Sequence, residues 1–180
     1  MSLKLAGTGH RPQSLGGFNR EVSNRLIVLA TDKLSSIKPS LVITGGALGW
    51  DTALAQAAIA LNIPLELHIP CKDYSSRWPL SSQQIYHQIL SSATKVKYLG
   101  DRYHISLLHK RNISMVDSCN ILLALYNGIP KGGTHNCVQY ALSTGKEIIN
   151  VWNDFQHLSN IESRQSRLWK IGLSNKSNNG

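Results

Sequence analysis

The chain reads as an α/β protein built on a mainly parallel sheet, and two observations predict this. Short apolar runs alternate with longer segments of helical periodicity along most of its length. Glycine-rich turns also stand where a buried run hands over to a helical one. Thr44-Gly45-Gly46-Ala47-Leu48-Gly49-Trp50-Asp51 follows Leu41-Val42-Ile43, and Lys131-Gly132-Gly133-Thr134 follows Ile121–Leu125 at a short distance.

Leu3–Thr8 reads as the first strand. Asn19–Ser35 is a helix with apolar residues at Val22, Leu26, Leu29 and Ala30. Leu41–Thr44 is a second strand, and Asp51–Leu61 an alanine-rich helix suited to close packing on a sheet. Leu65–Ile69 is a third strand, stopped by Pro70. After an irregular segment, Ser81–Ala93 is helical, Lys95–Leu99 a strand and Ser106–Ser118 a helix. Ile121–Leu125 is a buried strand, Thr134–Thr144 a helix ended by Gly145 at C′, and Ile148–Trp152 the last strand. Strict alternation of this kind predicts a Rossmann-like three-layer α/β/α sandwich. The expected domain is 1–152, with 153–180 a polar, loosely attached tail, because Ser174–Gly180 is rich in Asn and Ser and basic residues such as Arg164, Arg167, Lys170 and Lys176 are spread along it.

At 180 residues, 42% hydrophobic and 16% charged, the chain can bury one substantial core. Its apolar runs fall short of the roughly 20 residues of a membrane span. Met1-Ser2-Leu3-Lys4-Leu5 leads straight into a strand without a signal peptide, so a cytoplasmic location is expected. Three widely spaced cysteines, Cys71, Cys119 and Cys137, support neither a disulfide framework nor a zinc site. No metal and no cofactor are expected. Cys137 is kept as a candidate thiol because it falls in the helix after the second glycine turn. The net charge of +9 implies affinity for anions. The basic residues are scattered, however, and no nucleic-acid motif accompanies them, so nucleic acid is an open but unfavoured partner.

Parallel sheets bind ligands at the carboxyl ends of their strands, and three loops fall there. Glycines let a backbone approach a ligand, and a helix N-terminus supplies unpaired N–H groups for phosphate. Gly45, Gly46 and Gly49 form one such turn, although it is neither a Walker A loop nor a dinucleotide fingerprint. Trp50 beside it can flank a base, and Asp51 can cap the helix. Gly132, Gly133 and Thr134 form the second turn, with Thr134 as N-cap or phosphate donor and Lys131 or His135 adding charge. Thr8, Gly9, His10 and Arg11 follow the first strand, and a guanidinium suits bidentate phosphate recognition. Arg77 and Trp78 follow the third strand, either as a lid over the crevice or as a surface loop pinned by a buried indole. Arg111 and Asn112 are adjacent on one helix and too closely spaced to face one way, so at most one of the two is expected to point into the site. Asp117, near the end of that helix, is either a surface or cap residue or part of the site.

In order, these segments resemble the YspA/YpsA-like branch of the SLOG superfamily. They are Thr8-Gly9-His10-Arg11-Pro12 with Leu15-Gly16-Gly17, Gly45–Asp51, Ile69-Pro70, Ser76-Arg77-Trp78-Pro79, Gln84 with Tyr86, Arg111-Asn112 with Met115-Val116-Asp117, and Gly132-Gly133-Thr134. The resemblance covers residues 3 to 151. That superfamily takes in the Lonely Guy phosphoribohydrolases, the Smf/DprA recombination mediators and molybdenum-cofactor carrier proteins. It implies a Rossmann-like domain that binds a nucleotide or nucleotide-derived small molecule, a role compatible with sensing, and by analogy a homo-oligomer. It does not by itself imply catalysis. Lonely Guy enzymes pair a helical Arg with a Glu in Pro-Gly-Gly-x-Gly-Thr-x-x-Glu to hydrolyse a nucleoside 5′-monophosphate at its N-glycosidic bond. Arg111 matches the arginine, but Pro130-Lys131-Gly132-Gly133-Thr134 is shortened and Cys137 stands three residues past Thr134. A thiol cannot replace a carboxylate that activates water or stabilises an oxocarbenium-like centre. The expectation is therefore binding rather than hydrolysis, with DprA-like single-stranded DNA binding as a further alternative.

Overall fold

The computed structural model describes residues 2–161. Its strands are β1 (Lys4–Gly9), β2 (Leu41–Thr44), β3 (Leu65–Ile69), β4 (Lys95–Tyr98), β5 (Ile121–Leu125) and β6 (Glu147–Asn150). The helices between them are α1 (Arg20–Ile37), α2 (Trp50–Ala60), α3 (Leu80–Ser92), α4 (Ile105–Ser118) and α5 (Gly132–Ser143), with a short 3-10 turn at Pro12–Ser14. The strands form one sheet in the order β4-β3-β2-β1-β5-β6. Every neighbouring pair is parallel, so the sheet is wholly rather than mainly parallel among the described residues.

Alternate strand residues feed two cores, as the two-residue period of a strand requires. Leu5, Val42, Leu65, Leu67 and Leu123 pack with Leu26, Leu29 and Leu34 of α1 and the alanines of α2. Ala6, Ile43, Leu122 and Ala124 pack on the other face, with Met115 and Val116 of α4 and Val138 and Ala141 of α5. Ala53, Ala55, Ala57 and Ala58 are buried, which lets α2 lie close to the sheet. Connections march from β1 out to β4, then cross back to place β5 on the other side of β1. The carboxyl ends of β1 and β5 therefore flank a topological switch point, where such sheets open a crevice.

Local signals set the helix ends. Asn19 caps α1 by accepting from the Val22 amide at 2.9 Å. Gly145 follows the C-cap of α5 at φ +67°, the left-handed conformation expected of it. Two capping expectations are corrected. Gly49, not Asp51, is the N-cap of α2, and Lys131, not Thr134, is the N-cap of α5, because each helix starts earlier than its apolar periodicity suggests.

The tail boundary at 152 is also corrected. Residues 152–161 are helical, and Phe155 and Leu158 pack onto the core that holds α1. Lys33 and Asp154 pair at 3.1 Å, and the Arg25 guanidinium sits 5.4 Å over the Phe155 ring. Arg164, Arg167, Lys170, Lys176 and Ser174–Gly180 lie outside the described residues.

Candidate functional site

A cavity of about 450 Å³ opens at the switch point. Thr8, Gly9, His10 and Arg11 line it from the end of β1, and Gln13 and Ser14 from the short turn that follows. Ala47 and Asp51 border it at the start of α2. Helix α4 contributes Leu108, Arg111, Asn112 and Met115, and α5 contributes Gly133 and Thr134.

Arg111 is the centre of the polar wall, and only 8% of it is exposed. Its Nη1 donates to the Gly45 carbonyl at 2.7 Å and lies 3.5 Å from Oδ2 of Asp51, while Nε donates to Oδ1 of Asn112 at 2.9 Å. Asp51, 5% exposed, also accepts from the Ala47 amide at 3.3 Å. Burial pushes its carboxyl above the usual carboxylate range, against the opposing pull of Arg111. Asn112 then donates from Nδ2 to the Gly133 carbonyl at 3.1 Å, tying α4 to the first turn of α5. Arg111 and Asn112 both border the cavity, correcting the expectation that at most one of them would. Adjacent residues stand about 100° apart on a helix, and the long arginine curls back to its neighbour.

At the second glycine turn, Lys131 makes no side-chain cap, and a Cβ on Gly132 or Gly133 would meet nothing within 4 Å. Gly132 also needs its φ of +87°. The first turn of α5 thus presents an uncapped helix N-terminus to open space beside the cavity. His10 accepts on Nε2 from the Asn127 amide at 3.1 Å, and burial lowers its pKa, so the ring faces the cavity uncharged at neutral pH. Arg11 stands exposed at the mouth.

The first glycine turn has a different use. Gly45 makes room for the Arg111 side chain, Gly46 for Ile69 and Tyr86, and Gly49 for the backbone at His10 and the ring of Pro12. These glycines make room for protein atoms, and the turn offers Arg111 a carbonyl. None of the three borders the cavity. Trp50 is corrected as a base-flanking residue: it is 0% exposed and donates from Nε1 to the Leu123 carbonyl at 3.3 Å. Its side chain fills the space left by Gly9, where a Cβ would lie 2.5 Å from the Trp50 Cβ, while Leu54 fills the space left by Gly7.

Arg77 and Trp78 do not border the cavity either. Trp78 packs edge-on between Tyr74 and Tyr86, each 5.2 Å away by ring centroid, and Arg77 is exposed. The pinned-loop alternative describes this segment. Cys137 is fully buried beside Thr8, and desolvation raises its thiol to about 11, away from the range of a reactive thiolate. Asp117 sits on the surface and accepts from the Tyr140 hydroxyl at 2.9 Å. His135 and the Tyr126 hydroxyl are hydrogen-bonded at 2.8 Å, and the Tyr126 ring lies 6.0 Å from that of His10, although neither His135 nor Tyr126 borders the cavity. Leu108 and Met115 were missed, although their spacing to Arg111 and Asn112 marks one helix face. Gln13, Ser14 and Ala47 carry no comparable signal.

Together the fold and site define a doubly wound parallel α/β protein with an anion-suited crevice at its switch point. The model of the YspA SLOG family matches residues 5–153, and the chain belongs to that family. It is 26% identical over 154 residues to the SPbeta prophage-derived protein YoqJ of Bacillus subtilis (strain 168), covering 75% of this chain and 90% of that one. DNA processing protein A (DprA) from Streptococcus pneumoniae has a similar fold at 15% identity and a TM-score of 0.61. That match covers 81% of this chain but only 49% of the other, so the chain spans about half of that relative's length. DNA processing protein A from Helicobacter pylori, described for its single-stranded DNA binding mode, matches at 17% identity and a TM-score of 0.60, covering 94% and 81% of the two chains. TM1055 matches at 14% identity and a TM-score of 0.56, covering 81% and 72%. No helix among the described residues is long and apolar enough to cross a membrane.

Proposed function

We propose that this protein binds a nucleotide or a nucleotide-derived small molecule in the crevice between β1 and β5. One observation carries the reading: the 450 Å³ cavity joins a buried arginine, an exposed arginine at its mouth and an uncapped helix N-terminus. Helix N–H groups and the positive dipole end favour a phosphate, and Arg11 supplies a second cation. Asp51, Asn112, Thr8 and Thr134 add the polar contacts that would orient a sugar or base. Membership of the SLOG family supports the same reading. A thermal-shift panel of nucleoside mono-, di- and triphosphates tests it: at least one should raise the melting temperature in proportion to log concentration. A flat response to the whole panel rejects it.

A second reading is hydrolysis of a nucleoside 5′-monophosphate, and Asp51 favours it. That residue brings a carboxyl with a raised pKa into the cavity beside Arg111, although nothing replaces the glutamate absent at Cys137. Chromatographic detection of free base from AMP, abolished by Asp51→Asn, supports it, and intact AMP rejects it. DNA binding of the DprA kind draws on the fold likeness and the +9 charge. It calls for a salt-dependent mobility shift of a labelled oligonucleotide.

A further inference from the structure

A second cavity, of about 600 Å³, opens among α1, α2 and α3. The Pro12–Ser14 turn separates it from the crevice: Pro12 lines this cavity, whereas Gln13 and Ser14 line the other. Gly49 closes the partition, since a Cβ there would lie 2.8 Å from the His10 carbonyl oxygen and 3.0 Å from the Pro12 ring.

The floor of this second cavity is core. Val22 and Leu26 of α1 and Ala53 of α2 line it, and none is more than 5% exposed. Its rim leaves large apolar side chains in water, with Phe18 58% and Ile85 37% exposed. Covering such surface with an apolar guest is favourable in proportion to the area removed from water. Small-molecule pockets run from about 300 to about 1,000 Å³ and join apolar walls to a few polar groups, as this one does.

The polar groups select the guest. Arg20 is the one charged residue that lines the cavity, and it forms no ion pair among the described residues. It stands in the first turn of α1, and Ser81 and Ser82 stand in the first turn of α3. Both helices follow parallel strands and start at the carboxyl edge of the sheet, so the guanidinium and the two hydroxyls share the mouth above the apolar floor. With no carboxylate in the lining, this mouth complements a negative charge.

We propose that the second cavity is a binding site for an amphiphilic carboxylate, a small molecule whose apolar body covers Val22, Leu26 and Ala53 and whose carboxylate meets Arg20. Nucleotide binding in the crevice is not required for it.

The test is calorimetric titration of octanoate, and of octan-1-ol as its uncharged counterpart, into wild type, Arg20→Gln and Ser23→Trp. Arg20 and Ser23 are exposed, so both variants should keep the wild-type melting temperature. Wild type should bind octanoate about tenfold more tightly than octan-1-ol, the scale of one hydrogen bond to a charged group. Arg20→Gln should erase that difference and leave octan-1-ol affinity unchanged. Ser23 lines the cavity from α1, so Ser23→Trp should fill it and abolish binding of both probes. Failure of wild type to bind either probe, equal octanoate affinity in Arg20→Gln, or binding that survives Ser23→Trp would each overturn the proposal. A wild-type dimer in sedimentation that Ser23→Trp dissociates would also overturn it, since a second copy of the chain would then be the occupant.

Discussion

Arg111 crosses from α4 to the end of β2 and donates to the carbonyl of Gly45 at 2.7 Å, occupying the space a Cβ on Gly45 would need. The glycine is thus the seat of the arginine. Gly45→Ala should push the guanidinium off Asp51 and cost about 2 kcal/mol, as overpacking does. In an Arg111→Ala background the same change should cost much less, because the clash has gone. Equal costs in the two backgrounds, measured by chemical denaturation, would show that the contact is not tight.

Trp50 belongs to the core and not to the site. Trp50→Phe loses the bond to the Leu123 carbonyl at 3.3 Å and opens a void beside Gly7, where Nε1 of the indole lies. A cost of about 2 kcal/mol is expected. Nucleotide affinity should stay within about twofold of wild type, since a change without loss of a ligand contact leaves binding energy intact. A large affinity loss at unchanged stability would return Trp50 to the site.

Thr44 ends β2 with its hydroxyl buried and unpaired. Thr44→Val replaces that hydroxyl with a methyl group of nearly the same shape. Stability should rise by about 1 kcal/mol, or a few degrees in melting temperature. A fall of that size would mean that a water satisfies the hydroxyl.

His68 predicts the response to acid. It is fully buried on β3, 3.0 Å from Glu66, with Lys95 and Lys97 facing the same cluster from β4. Desolvation lowers its pKa despite the pull of Glu66. The folded state therefore resists a proton that the unfolded chain accepts near pH 6.5, so stability holds above that value and drains away as pH falls through it. Glu66 adds to the loss at lower pH: burial opposes it, but bonds from Lys95 and His68 hold its carboxylate below the usual range. His68→Gln should flatten the stability profile from about pH 7.5 to about pH 5. Parallel profiles for the two proteins would remove His68 as the cause.

Most of the fold was legible because parallel strands buried on both faces are nearly continuous apolar runs, and β2 and β5 begin and end where those runs do, while β3 alternates apolar and polar residues up to Pro70. The cavity residues at strand ends, Thr8 to Arg11 and Gly133 with Thr134, were legible for the same topological reason. The first glycine turn misled because a missing Cβ signals close approach without saying what approaches. At Gly45 it is an arginine from 66 residues away in sequence. Trp50 misled because its pocket is made by glycines on another strand, and no local pattern reports that. The helical residues 152–161 were hidden by their polarity, since Phe155 and Leu158 are their main anchors.

The most direct measurement is a calorimetric titration of a nucleotide into wild type and Gly133→Val. A side chain at Gly133 would extend into open space beside the cavity, so the variant should fold with an unchanged melting temperature. It should lose at least tenfold in affinity, because the added methyl groups occupy the position of a phosphate at the α5 N-terminus. Equal affinity in the two proteins, or no binding by wild type, would contradict nucleotide binding in the crevice between β1 and β5.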